Sequence, residues 1–198
     1  MGKRIKETCT KCGLDRPTPE NLPAQLDAWQ AYTSTHGAER KRDYLIMYAF
    51  LGLTYSELYR IGPTDIDWDG NQVYIRGTKT DYRRRTVPMD LKVRTILWER
   101  KDRTPMFPTW SASNMCRDIK KACAYASTDG TLKPATANDL RRTFATWLAR
   151  EGVPLLNLAK LMGHSGTQML THVYARVERG KHMHEAIGKL PEHPRRLR

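Results

Sequence analysis

The stretch Leu161–Thr167 reads LMGHSGT, and Tyr174 follows it after a short helical run. A glycine behind an apolar helical segment is typical of a helix C-terminus, because glycine adopts the left-handed backbone conformation without steric cost. The stretch therefore predicts a helix that ends at Gly163 and holds His164 just beyond its end. A tyrosine hydroxyl has a pKa near 10 and acts as a nucleophile only where cations and proton relays surround the reacting group. The cations elsewhere in the chain therefore decide what Tyr174 does.

Apolar residues recur at helical spacing on both sides of this stretch. Upstream, residues 138–151 begin NDLRRTFAT, which places Arg141 near the start of a helix with Asn138 as its N-cap. A short helix runs from Ser56 and stops before Pro63. The other predicted helices cover residues 19–29, 39–53, 90–101, 111–126, 154–162, 167–177 and 180–189.

One region has the alternation expected of β-strands. Residues 72–76 (QVYIR) alternate polar and apolar side chains, a turn follows at 77–81 (GTKTD), and residues 83–88 (RRRTVP) return. The turn and the returning strand carry a concentration of cations. The sequence therefore predicts a mainly α fold with a small antiparallel β-sheet.

Composition and charge limit the function classes. The chain has 198 residues with 39% hydrophobic and 28% charged residues, as expected for one globular domain with a core. Lys and Arg outnumber Asp and Glu by 34 to 21, for a formal charge of +13. Such an excess predicts a polyanionic partner, with nucleic acid favoured over an anionic membrane. No apolar run has the length of a membrane span, and the N-terminus lacks a signal-peptide core, so we expect an intracellular protein of the cytoplasm or nucleoid, or one associated with a viral genome.

The two ends of the chain differ from its middle. Residues 1–18 are polar and basic and predict a tail or linker, and residues 191–198 predict a disordered basic tail. Cys9 and Cys12 have the spacing of half a zinc knuckle, but no second pair follows them. The pair therefore has two interpretations, a zinc ligand set or reduced thiols in the tail.

The motifs around Tyr174 and Arg141 resemble those of a known family. Residues 163–177 (GHSGT…HVYARV) are similar to the Gly-His-Ser-Ser…Tyr-x-His signature of tyrosine recombinases, the phage integrase family. Residues 138–146 (NDLRRTFAT) resemble its His-x-Leu-Arg motif and the His-Thr-Phe-Ala-Thr that follows. The resemblance covers residues 19–190 and implies a DNA breaking-rejoining catalytic domain, but it does not include the core-binding domain that precedes this domain in relatives.

The resemblance implies roles for individual residues in metal-free and cofactor-free cleavage of a DNA phosphodiester. Tyr174 would be the nucleophile and would form a 3′-phosphotyrosine intermediate. Arg141 would clamp the scissile phosphate, His164 would hydrogen-bond one of its oxygens, and Lys79 in the hairpin turn would be the general acid toward the 5′-oxygen. The remaining cations of the hairpin and of the Arg141 motif predict contacts with the DNA backbone: Arg83, Arg84, Arg85 and Arg142.

Two positions depart from the family pattern. Residues 51–58 (LGLTYSEL) match a Thr-Gly-Leu-Arg-x-Ser-Glu-Leu motif, yet Thr54 stands where the family has its first clamping arginine. Losing such a clamp costs roughly 3–4 kcal/mol in the transition state, or about 10²–10³ in rate. Asn138 replaces the histidine of the second motif and cannot shuttle a proton near neutral pH. Arg42 and Arg142 are the candidates to replace the missing guanidinium in space.

Two functions remain open on this evidence. The first is a site-specific recombinase or integrase, impaired by Thr54, that cleaves and rejoins double-stranded DNA through Tyr174. The second is a recombinase-derived DNA-binding protein without chemistry, with a regulatory or architectural role. The C-terminal helix, which includes residues 184–190 (HEAIGKL), also resembles the family helix that docks on a neighbouring protomer, so we expect oligomers on DNA.

Overall fold

The computed structural model describes residues 22–36, 40–77, 81–126, 135–168 and 170–171. Both predicted tails, the cysteine pair at 9 and 12, Lys79 and Tyr174 lie outside these residues, as do the predicted helix at 180–189 and most of the helix at 167–177. The helices are α1 (Leu22–His36), α2 (Arg40–Leu51), α3 (Tyr55–Leu58), α4 (Leu91–Arg100), α5 (Ala112–Ala126), α6 (Ala137–Arg150) and α7 (Leu155–Met162). The strands are β1 (Ile66–Asp67), β2 (Gln72–Ile75) and β3 (Arg85–Pro88), with single 3-10 turns at Pro63–Asp65 and Asp81–Arg83.

The predicted fold class is confirmed: the described chain is mainly helical with one small antiparallel sheet. The sheet has the strand order β1-β2-β3, and Val73 is opposite Ile66 on one side and Val87 on the other. Alternation along β3 buries Arg85 together with Val87 and exposes Thr86 between them. The sheet therefore directs one arginine of the hairpin into the protein.

Three local predictions were wrong. Helix α1 continues to His36, seven residues beyond the predicted end at Trp29. Residues 66–67 form the edge strand β1, which lies outside the predicted strands. The N-cap of α6 is Thr136, because its hydroxyl accepts the Asp139 N–H and Asp139 in turn accepts the Thr136 N–H. Asn138 therefore lies within the first turn of α6, exposed to solvent.

Helix α2 lies at the centre of the core and packs against α1, α4 and α6. Its residues Met47, Tyr48 and Leu51 are fully buried. A helix that is apolar around most of its circumference can be stabilised only where other elements cover it on several sides. Packing α6 against this helix brings Phe144 to the loop that follows α2.

Two glycines bring the chain ends of α2 and α7 close to their neighbours. Gly52 follows α2 with φ 59°, and a Cβ there would lie 2.5 Å from Phe144 Cδ1. Gly163 ends α7 in the left-handed conformation with φ 64°, and a Cβ there would lie 3.1 Å from both Arg83 Cα and Arg85 Nη1. Only glycine fits both requirements at each position. Together the two glycines let the loop after α2, the start of β3 and the end of α7 converge.

No helix among the described residues is both long and apolar enough to cross a lipid bilayer.

Candidate active site

Arg141 is held on the buried face of α6. The reciprocal cap of Thr136 and Asp139 fixes the start of this helix, and two residues later Arg141 is only 7% exposed. Its guanidinium donates to two main-chain carbonyls, those of Gly52 at the end of α2 and Met162 at the end of α7. These carbonyls come from chain segments far apart in sequence, so the guanidinium orientation depends on the whole fold.

His164 is in contact with this guanidinium. Its Nε2 lies 3.3 Å from Arg141 Nη2. A guanidinium has no acceptor, so Nε2 carries the lone pair and the ring proton is on Nδ1. Burial, together with the charges of Arg141, Arg83 and Arg85, lowers the pKa of His164 to about 4. The imidazole is therefore neutral at physiological pH and is a hydrogen-bond donor rather than a general acid.

The loop before α3 contains Thr54, where the family motif has arginine. The Thr54 N–H donates to Glu57 Oε2 at 2.8 Å, as in one half of a capping box. The Thr54 hydroxyl is buried and has no hydrogen-bond partner among the described residues. The backbone of the motif is thus formed, although its cation is missing at this position.

Arg85 reaches the same loop from β3. It makes a bidentate ion pair with Glu57, with Nη1 3.0 Å from Oε1 and Nη2 3.1 Å from Oε2. Both side chains are only 4% exposed. Nη1 also donates to the Arg83 carbonyl, and Nη2 donates weakly to the Gly52 carbonyl at 3.4 Å. The Gly52 carbonyl is therefore shared by Arg85 and Arg141.

One carboxylate lies between these guanidiniums. Glu57 Oε2 is 3.6 Å from Arg141 Nη1, in addition to its pairing with Arg85. Burial alone would raise the pKa of Glu57, but the hydrogen bonds and charge of Arg85, helped by the Thr54 N–H and Arg141, keep it below its usual value. Burial and the neighbouring Arg85 lower the pKa of Arg141 to about 10. With Arg83 also close, positive charge exceeds negative charge, which suits an incoming anion.

An open cleft of about 480 Å³ borders this cluster. Its lining joins the beginning of β3 to the end of α7, and the lining residues are Tyr82, Arg84, Arg85, Thr86, Lys160, Leu161 and His164. Arg141 is deeper, behind its contact with His164. Arg85 is thus the buried guanidinium that borders the cleft directly.

The three hairpin arginines, for which the same DNA contacts were predicted, differ in their exposure. Arg84 is exposed and Arg83 is half-buried, so both positions are compatible with backbone contacts to DNA. Arg85 is buried in an ion pair instead. Arg142 is largely exposed, with its Nη1 3.8 Å from Asp139 Oδ1.

The structure brings together Arg141, His164 and the Thr54 loop, as the motifs predicted. Among the described residues, neither Arg42 nor Arg142 makes a hydrogen bond or ion pair with this loop. Asn138 is exposed on the first turn of α6. The described ranges contain no group of three or more His, Cys, Asp or Glu residues placed to hold a metal ion.

Sequence reasoning missed the pair of Arg85 and Glu57. The two residues are 28 positions apart in sequence, so no local motif joins them. One signal was available: Arg85 precedes the core residue Val87 by two positions, and strand residues two apart share a face. An arginine in phase with a core valine predicts a buried cation, and a buried cation requires a carboxylate nearby.

The sequence comparison with known proteins identifies the family. The model of the phage integrase family matches residues 18–181, so the chain belongs to this family. Among curated relatives, tyrosine recombinase XerA of Pyrococcus horikoshii is 27% identical over 184 residues, which cover 86% of this chain and 62% of the relative. XerA of Saccharolobus solfataricus is 30% identical over 156 residues, covering 75% of this chain and 52% of the relative. The chain thus spans roughly half to three fifths of these relatives.

Solved structures agree on the fold. The Tn1549 transposon integrase in complex with circular intermediate DNA has a TM-score of 0.69 at 20% identity, over 88% of this chain and 67% of that one. A crystal structure of XerA recombinase has a TM-score of 0.63 at 21% identity, over 90% of this chain and 66% of that one. The described fold is that of a tyrosine recombinase catalytic domain.

Proposed function

We propose that this chain is the catalytic domain of a site-specific recombinase that cleaves and rejoins double-stranded DNA. The observation that carries the proposal is the cluster of Arg141, His164, Glu57 and Arg85 beside an open cationic cleft. A phosphodiester in such a cleft meets excess positive charge and a neutral imidazole donor. Charge that develops on the non-bridging oxygens during phosphoryl transfer is stabilised best by donors held in place beforehand.

The described residues support three roles in this chemistry. Arg141 supplies a fixed positive charge, because its guanidinium is fastened to the carbonyls of Gly52 and Met162. His164 points Nε2 at Arg141, which leaves the Nδ1–H for a phosphate oxygen. Arg83 and Arg84, with Arg142, hold the DNA backbone on either side.

The family resemblance supplies the remaining roles. Tyr174 Oη attacks phosphorus, its bond to phosphorus forms as the bond to O5′ breaks, and the tyrosyl proton leaves to solvent. Lys79 gives a proton to the departing 5′-oxygen, so a free 5′-hydroxyl and a 3′-phosphotyrosine result. Reversal of the step with another 5′-hydroxyl rejoins the strand, and no cofactor takes part. With Thr54 in the first motif, this chemistry is expected to be slower than in a relative with arginine there, unless another guanidinium takes the place of that arginine.

A second candidate function is DNA binding without cleavage, in a regulatory or architectural role. Thr54 and the exposed Asn138 favour it, since each replaces a residue of the family site. In both functions the partner is double-stranded DNA, and the C-terminal residues 184–190 would join protomers on it. The Tn1549 integrase, whose solved structure contains DNA, has the same fold, and this supports the choice of partner.

A trapping experiment separates the two functions. The sequence bound by the Tyr174→Phe protein is first selected from random duplexes, and a nicked version then prevents religation after cleavage. The recombinase proposal expects a protein–DNA adduct that survives denaturing electrophoresis and is lost in Tyr174→Phe. Tyr125→Phe, an exposed tyrosine on α5, is the matched control and keeps the adduct.

If the protein binds the selected DNA tightly but forms no adduct with it, the result favours DNA binding without cleavage. An adduct that persists in Tyr174→Phe would show that another residue is the nucleophile.

A further inference from the structure

We propose that Arg85 supplies the phosphate-clamping guanidinium that the first arginine motif lacks at Thr54. The inference rests on the proposed function and deepens it, because it assigns a binding residue to the same site. Arg85 comes from β3 and not from the motif, so its guanidinium arrives from a different direction.

The position of the guanidinium is the first argument. Arg85 binds Glu57, which lies three residues after Thr54, and it shares the Gly52 carbonyl, two residues before Thr54. These contacts bracket the motif position on both sides. Arg85 also lines the cleft together with His164, whereas Arg141 lies behind His164. A phosphate that accepts a hydrogen bond from His164 is therefore within the same cleft as Arg85.

The free donors are the second argument. Nη1 and Nη2 of the Arg85 guanidinium both donate hydrogen bonds to the Glu57 carboxylate. Its Nε–H is buried and has no partner among the described residues, and its Nη2 bond to Gly52 is long at 3.4 Å. A buried N–H without an acceptor costs free energy that a phosphate oxygen would recover. The Thr54 hydroxyl and His164 Nδ1 are also buried without a hydrogen-bond partner among the described residues, so the site holds further donors for an oxyanion.

The charge balance is the third argument. Glu57 neutralises one guanidinium at most, while Arg85 and Arg141 both lie within 4 Å of it. The surplus charge cannot leave by deprotonation, since an arginine stays protonated at neutral pH. A dianionic or monoanionic oxyanion in the cleft balances this surplus. The carboxylate holds Arg85 in place, as a positioning residue for the clamp.

Inorganic sulfate tests the inference without requiring Tyr174 or a DNA site. Sulfate is titrated at low ionic strength while the ring signals of His164 are followed by NMR. In the unaltered protein we expect a saturable shift. In Arg85→Gln we expect sulfate affinity to fall about tenfold or more, as for loss of a charge-assisted clamp, and in Thr54→Arg/Arg85→Gln to return to within about threefold.

Arg100→Gln is the matched control, because Arg100 is another buried arginine in a carboxylate pair, with Asp43 at 2.6 Å. The Arg100→Gln protein loses stability as Arg85→Gln does, because each loses a buried ion pair, but it keeps sulfate binding at His164. If Arg85→Gln binds sulfate like the unaltered protein, or if Thr54→Arg fails to restore binding, Arg85 is only a structural partner of Glu57 and the inference is overturned.

A single variant covers the case in which Arg85→Gln does not fold. Thr54→Arg alone should raise sulfate affinity by less than about threefold, because a guanidinium already occupies the place. A gain of about a hundredfold or more would show that the place lacks one and would overturn the inference. Absence of any DNA adduct, with the sulfate results as expected, would remove the proposed function and leave the anion site.

Discussion

The two sides of the candidate site are built in different ways. On one side, Arg141 and His164 come from the family motifs themselves and contact each other directly. On the other side, the motif loop retains its backbone and Glu57, but its guanidinium comes from β3, through Arg85. The comparison teaches that acceptors determine where a cation sits. The Glu57 carboxylate and the Gly52 carbonyl define the place, and the chain segment that fills it can differ.

The largest expected effect tests the first side. Arg141→Ala should lower the rate of adduct formation by about 10³-fold, because it removes a charge fixed beside the reacting phosphate. Single-turnover cleavage of the selected DNA measures it. Arg117→Ala, an exposed arginine on α5, is the control and should change the rate by less than about threefold. A rate within tenfold of the unaltered protein for Arg141→Ala would place the clamp elsewhere.

Removing the shared carboxylate breaks both sides at once. Glu57→Gln should destabilise the protein by about 3 kcal/mol, since two buried guanidiniums then lose their counter-charge. Urea unfolding measures the change. Asp43→Asn removes the partner of Arg100 at a partly exposed carboxylate and should cost less. Equal losses of unfolding free energy in the two variants would mean that the position of Glu57 between two guanidiniums adds nothing to its contribution.

The acid dependence of stability follows from the same carboxylate. The pKa of Glu57 is lowered by folding, so the unfolded chain binds the proton more readily. Its contribution is fully present above the unfolded value, about 4.3, and is lost as pH falls toward the folded value. Glu57→Gln should therefore lose less stability than the unaltered protein over this acidic range.

A smaller effect tests how closely the two sides approach. Gly163→Ala should cost about 2 kcal/mol, because the residue has φ 64° and its Cβ would meet Arg83 and Arg85 at 3.1 Å. Gly152→Ala is the control: Gly152 has φ 79°, and a Cβ there would meet no atom within 4 Å. It should cost about 1 kcal/mol from the backbone alone. If both variants lose the same unfolding free energy, the end of α7 has room for a Cβ beside Arg83 and Arg85.

The last prediction concerns the protonation of His164. Folding lowers its pKa to about 4, mainly by burial and then by Arg141. The unfolded histidine binds its proton at higher pH, so stability is fully present above about 6.5 and decreases as pH falls toward 4. NMR titration should find the ring neutral at pH 6, and His164→Gln should flatten the stability profile between pH 6.5 and 4. A titration midpoint near 6.5 would contradict the contact with Arg141.

The sequence predicted the local structure on the Arg141 and His164 side of the candidate site. Helix α7 and its glycine end could be read from apolar spacing and from Gly163, and Arg141 from its motif. The class of fold followed from one hairpin among helices. These features depend on residues close in sequence, which is the range over which periodicity and caps carry information.

The other side depends on pairings across the chain. Arg42 and Arg142 were the candidates to replace the missing guanidinium, whereas the structure places Arg85 beside Glu57. The hydrogen bonds that the Gly52 carbonyl accepts from Arg85 and Arg141 could not be predicted either. A main-chain acceptor is present in every residue, so the sequence does not indicate which carbonyl is used. The roles of Tyr174 and Lys79 stay predictions, because both residues lie outside the described part of the chain.

The Gly52 carbonyl has a consequence for how such a site tolerates mutation. It accepts from both arginines, yet no side-chain substitution can delete it, because every residue has the same carbonyl. Its direction is set by the left-handed turn at Gly52 and by the Phe144 ring against that turn. A saturation mutagenesis scan would thus detect the role of this carbonyl only indirectly, through substitutions at Gly52 and Phe144. It would not test the carbonyl oxygen itself. Replacing the amide between residues 52 and 53 by an ester, which weakens the carbonyl as an acceptor, is the substitution that reaches it.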